Sequence, residues 1–144
     1  MKVLFLDIDG VLNITSKVYE AGQFYKPAMA NLEYLLKKEP ELRIVISSSW
    51  RHKGIDKVRD ILKENGINPN KVIDITGNEE SKDERDHRGY QVECWLKKHP
   101  EVKNFAILDD RTDFVPLRHK LVKTNSSEGL TENKVEKVID ILNE

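Results

Sequence analysis

Lys2-Val3-Leu4-Phe5-Leu6-Asp7-Ile8-Asp9-Gly10-Val11-Leu12-Asn13 is the stretch that decides how the rest of this chain is read. Val3 to Leu6 form an unbroken apolar run of the length and composition of a buried strand, and the run stops at Asp7. Gly10 lets the backbone turn sharply just beyond it. Ligands of open α/β sheets gather at the carboxyl ends of the strands, and Asp7 and Asp9 fall there. Two aspartates at alternate positions supply carboxylates that can do different work around one metal ion.

Further runs bounded by turn residues give five expected strands, near residues 2–7, 42–48, 71–75, 104–109 and 119–123. Helical stripes lie between them: Met29, Leu32, Leu35 and Leu36; Ile55, Val58 and Leu62; Val92, Trp95 and Leu96; and Val135, Val138, Ile139 and Leu142. Pro40, Gly66 and Pro100 suit the ends of the first three helices, and Thr131 suits the cap of the fourth. Strands alternating with helices of this length predict βαβ units and a largely parallel sheet. Residues 13–27 and 77–87 carry the weakest patterns.

A parallel sheet brings its strand ends to one rim. The first strand delivers Asp7 and Asp9, the second runs into Ser47-Ser48-Ser49-Trp50-Arg51, and the fourth into Asp109-Asp110-Arg111. Carboxylates, hydroxyls and guanidinium groups thus converge from distant parts of the chain.

That rim has the parts for phosphate-monoester hydrolysis, which needs a nucleophile, a proton for the leaving alkoxide, and neutralisation of the phosphoryl oxygens. Asp7 is the candidate nucleophile. Asp9 is the candidate general acid, and then the base that acts on water. Asp109 and Asp110 add oxygen ligands for a hard cation, Mg²⁺ above all. Ser48 can donate to a phosphoryl oxygen, with Arg51 and Arg88 supplying positive charge.

At 144 residues the chain is expected to form one domain over 1–144. Its composition is 38% apolar and 34% charged with a formal net charge of −1, so a nucleic acid would have to be held by a local patch. The lone Cys94 has no partner for an internal disulfide, and no apolar stretch approaches the roughly 18 residues of a membrane span. A cytoplasmic location is the expectation. The histidines at 52, 87, 99 and 119 lack zinc-ligand spacing. Trp95 belongs to a core stripe, whereas Trp50 reads equally as core or as substrate platform.

The motifs "DIDGVLN", "SSSWR" and "FAILDD", in this order, resemble those of haloacid dehalogenase (HAD) superfamily phosphatases. With "RGYQVECWLKKHP" and "GLTE" added, nearly the whole chain is similar to the small HAD domains of RNA-repair proteins. "DDRTDFV" also resembles the phosphatase half of polynucleotide kinase-phosphatase. The resemblance implies a Rossmann-like three-layer α/β/α fold with a mainly parallel five-stranded sheet, Mg²⁺ dependence and an aspartyl-phosphate intermediate. It implies Asp7 as nucleophile and Asp9 as acid/base, with the Asp9 main-chain carbonyl a further metal ligand. The second-motif hydroxyl is assigned to Ser48, with Ser47 and Ser49 as alternatives. Where the superfamily has a lysine in its third motif, this chain offers Arg88, or Lys82 upstream, and an arginine is not equivalent to an ammonium.

The intervals between motifs leave no space for a separate cap domain, which points to large substrates. A phosphorylated nucleic-acid end, such as a 3′-phosphorylated RNA or DNA end, or a phosphoprotein is the expected class, with Phe24, Tyr25, Trp50 and Tyr90 and Arg51, Arg85, Arg88 and Arg111 available to stack on and neutralise a strand end. The rival reading is a non-enzymatic receiver-like domain that carries a phospho-aspartate as a signal. Oligomeric state is not legible.

Overall fold

The structure, a computed structural model, describes residues 1–17 and 22–144; Val18 to Ala21, within the weakly patterned 13–27 stretch, lie outside the described residues. Five strands form one sheet: β1 (Lys2–Leu6), β2 (Leu42–Ile46), β3 (Val72–Ile75), β4 (Asn104–Asp109) and β5 (Leu121–Lys123). Their order is β3-β2-β1-β4-β5, and every pairing is parallel. Four α-helices connect or follow them: α1 (Lys26–Lys38), α2 (Ile55–Glu64), α3 (His87–Lys97) and α4 (Glu132–Leu142).

Right-handed crossovers account for the layers. The chain moves from β1 to β2 to β3 in one direction, then returns past β1 to β4 and β5. The helices of the outward run therefore lie on one face and that of the return on the other. Leu4, Leu6 and Ile8 pack with buried residues of α1, α2 and α4, among them Leu32, Leu62 and Val138. Val3 and Phe5 face the opposite way, toward Val92 and Trp95 of α3 and Phe114. This is the three-layer Rossmann-like arrangement. Among the described residues no cap domain is inserted, and no helix is long and apolar enough to cross a membrane.

The helix ends follow local chemistry. The Thr131 hydroxyl accepts from Lys134 N–H at the start of α4, at 3.5 Å. α2 closes with paired bonds from Ile67 N–H to the Leu62 carbonyl and from Gly66 N–H to the Lys63 carbonyl, both 3.0 Å. Gly66 takes φ +91°, the left-handed value this closure requires. The last strand is shorter than the expected 119–123, because His119 and Lys120 belong to a 3₁₀ turn over Val115–Lys120.

β1 and β4 are neighbours at the point where strand order reverses, the place where such sheets bind ligands. The ladder continues one residue past their regular ends: Asp7 N–H donates to the Leu108 carbonyl at 3.0 Å, and Ser47 N–H to the Leu6 carbonyl at 2.9 Å. Asp7, Ser47 and Asp109 thus stand in one row at the rim.

Candidate active site

Backbone parity dictates where the first carboxylate goes. Asp7 follows Val3 and Phe5 on the α3 side of the sheet, and Asp109 follows Phe105 and Ile107 on β4. Both are buried, at 4% and 0% exposure. Asp110, half-buried, completes a group in which one carboxylate oxygen from each of Asp7, Asp109 and Asp110 lies within 4.8 Å of the others. Gly10 permits the approach of Asp110: a Cβ there would lie 2.3 Å from Asp110 Oδ2, and φ is +84°. The turn is pinned by Thr124 Oγ1, which donates to the Gly10 carbonyl at 2.9 Å.

Arg88, at the start of α3, is the only charge of opposite sign paired with this group among the described residues. Its Nη1 lies 2.9 Å from Asp109 Oδ2 and 3.4 Å from Asp7 Oδ1. Arg88, not Lys82, therefore faces the cluster; Lys82 is exposed in its loop. One guanidinium does not neutralise the site. Burial, then repulsion from Asp109, pushes the Asp7 carboxyl up to about 9 against the pull of Arg88. Burial also raises Asp109, opposed by Arg88 and by hydrogen bonds. An all-oxygen group of three carboxylates short of positive charge fits a hard divalent cation such as Mg²⁺.

Asp9 sits apart. Its side chain is exposed and lies outside the acidic group, with Oδ1 accepting from Asn13 Nδ2 at 2.7 Å and Oδ2 from Trp50 Nε1 at 3.0 Å. Asn13 also accepts from Gly10 N–H at 3.0 Å, so one amide braces both the turn and the carboxylate. Trp50 is half-buried, and the sequence held no signal for its bond to Asp9.

The three serines separate clearly. The Ser48 hydroxyl oxygen caps the following 3₁₀ turn by accepting from Trp50 N–H at 3.2 Å, and Ser49 is exposed. Ser47, beside Asp7 in the ladder, is 0% exposed and its hydroxyl has no partner within the protein. A buried hydroxyl left unpaired costs about 1–3 kcal/mol, and beside Asp7 this one is available to a ligand oxygen.

Positive charge collects beside this row. Arg51, Arg88 and Arg111, with His87, Asn78, Gln91 and one carboxylate, Glu80, line a cavity of about 210 Å³. Arg51 is steered by Nε–H to Asn78 Oδ1 at 3.2 Å and Nη1–H to the Ser48 carbonyl at 3.0 Å. Its own burial, then repulsion from Arg88 and Arg111, lowers its affinity for its proton. Arg111 is held by Asp113 through two bonds of 2.9 and 2.7 Å. The Asp113 carboxylate also accepts from Arg88 N–H at 3.0 Å. Asp113 thus couples the arginine pocket to the start of α3, a role sequence alone did not reveal. Of the aromatic residues expected to meet a strand, Phe24 is buried behind Trp50, their ring centroids 5.4 Å apart, and serves as its backing.

A family model described as the HAD domain in Swiss Army Knife RNA repair proteins matches residues 3–135. No curated protein and no solved structure matches the chain.

Proposed function

From the premise that the chain belongs to the HAD domain family of Swiss Army Knife RNA repair proteins, we propose that it is a Mg²⁺-dependent phosphomonoesterase acting on phosphorylated nucleic-acid ends. The observation that carries this reading is the convergence of Asp7, Asp109 and Asp110 at the switch point of the sheet, with Arg88 between two of them.

Asp7 is the nucleophile. Its Oδ1 accepts from Ile8 N–H at 2.8 Å and lies 3.4 Å from Arg88 Nη1, which orients Oδ2 to attack phosphorus. The new Oδ2–P bond forms as the bond to the leaving oxygen breaks, and Asp9 gives that oxygen its proton. Water then attacks the aspartyl-phosphate, Asp9 takes the water's proton, and inorganic phosphate departs from Asp7. Ser47 donates its unpaired hydroxyl to a phosphoryl oxygen, and Arg51 and Arg88 offset the remaining charge.

Asp7, Asp110 and the Asp9 main-chain carbonyl would hold the cation. Both Asp109 oxygens are already engaged, by Arg88 and by Arg111 N–H at 3.0 Å, so Asp110 is the freer direct ligand of the pair. When bound, Mg²⁺ supplies charge that lets carboxylates and phosphate share the site.

The nucleic-acid end is supported by the absence of a cap over the rim among the described residues and by the family's setting in RNA repair. p-Nitrophenyl phosphate with Mg²⁺ tests the chemistry. Catalytic phosphate release is expected, lost in Asp7→Asn and in Asp9→Asn. Stoichiometric labelling without turnover would indicate a receiver-like domain instead.

A further inference from the structure

Building on the phosphatase reading, we propose that the groove along Trp50, whose indole bonds Asp9, is the leaving-group subsite, and that it takes the terminal nucleoside and the next phosphates of a single nucleic-acid strand. A proton donor must stand beside the oxygen that leaves. The Asp9 carboxylate is turned out of the acidic group and held by the Trp50 indole at 3.0 Å, so the leaving group lies on the Trp50 side.

Beyond the indole runs a groove of about 680 Å³, lined by Trp50, Lys53, Lys57, Asp60, Lys63 and Glu64. Its volume suits a nucleoside with phosphate attached. Phe24 backs the indole, and the Lys53 ammonium lies 5.2 Å from the indole centroid. A base stacking here finds an aromatic face that accepts any sequence, and displaces Lys53 toward the phosphodiester that follows it. A sugar phosphate offers no aromatic ring to Trp50. A phosphopeptide offers no second phosphate to the lysines.

Charge also limits the length of strand held. Residues 57, 60, 61 and 64 share one face of α2, so the groove passes from Lys57 to Asp60 and Glu64 within about 10 Å. A strand that runs on meets both of these carboxylates, with only Lys63 beside them to offset the repulsion. The favourable contact therefore spans about two or three nucleotides.

Anisotropy titration of labelled 3′-phosphorylated oligonucleotides against Asp7→Asn protein reads this directly, without turnover. Affinity is expected to rise about tenfold or more from mononucleotide to trinucleotide and to rise no further with a hexanucleotide. The double variant Lys53→Glu, Lys57→Glu, with unchanged circular dichroism, loses that rise. Affinity independent of length, a rise retained in the double variant, or tighter binding of a phosphopeptide would each overturn the inference. p-Nitrophenyl phosphate separates the two readings: hydrolysis without length preference sinks the groove alone, and length-dependent binding without hydrolysis sinks the phosphatase alone.

Discussion

Ser47 is a residue whose two roles can be pulled apart. Its hydroxyl is buried and unpartnered, so Ser47→Ala removes an unsatisfied group and leaves thermal stability unchanged or slightly higher. If that hydroxyl binds phosphate, the same variant loses about tenfold in kcat/KM on p-nitrophenyl phosphate. A loss of stability in step with activity would show a structural role only. Asp7 permits a test by pH. An aspartate in an unfolded chain titrates near 4, while burial and Asp109 hold the folded one up to about 9. Across that window the folded state keeps a proton that the unfolded chain has given up. Stability of the metal-free protein therefore falls as pH rises. Asp7→Asn in EDTA removes part of this decline in melting temperature between about pH 5 and pH 9, Asp109 being raised by burial as well. A variant that declines as steeply as wild type would place the cause elsewhere.

At the scale of elements, the junction of α3 with the segment after β4 governs the site. Asp113 accepts from the first turn of α3 and clamps Arg111. Gly89 N–H donates to the Asp113 carbonyl at 3.0 Å, and a Cβ on Gly89 would lie 3.1 Å from Phe114 Cα, so helix and segment are in close contact. Burial works to raise the Asp113 carboxyl, but the bonds from Arg111 and from Arg88 N–H hold it below the usual carboxylate range. Asp113→Asn keeps the shape and weakens the clamp. It should cost about 0.5–2 kcal/mol in urea denaturation, in the range of a lost helix cap. It should also raise KM more than it lowers kcat, since Arg111 rather than Asp7 is released. An unchanged denaturation midpoint would mean that the clamp contributes nothing to the fold.

For the whole molecule, the central prediction concerns charge closing the rim. A cation that binds the folded protein and not the unfolded chain stabilises by RT ln(1 + [L]/Kd), about 2.7 kcal/mol at a hundredfold excess over Kd. For a domain of this size that raises the melting temperature by roughly 5–10 °C. Mg²⁺ should do so in wild type, and much less in Asp110→Asn. The same rise in both proteins would place the ion elsewhere. The hydrophobic layers are not at issue in this test, because the acidic group lies at the sheet's edge, while Leu4, Leu6 and Ile44 lie fully buried below it.

What was legible in the sequence was what depends on local order along the chain. Val3 to Leu6 and Phe105 to Leu108 read as buried strands because an apolar run ending in aspartate has one strong interpretation, and their order placed Asp7, Asp109 and Asp110 on a common rim. Helix stripes and the Thr131 cap followed from periodicity and from the chemistry of an unpaired N–H. Tertiary structure alone decided which side chains meet. Trp50 reaches Asp9 from 41 positions away and Arg88 reaches Asp109 from 21. Which of three adjacent serines is buried without a partner depends on side-chain direction at the end of β2. These outcomes arise from pairing register and packing between layers, quantities that no local pattern of residue types encodes.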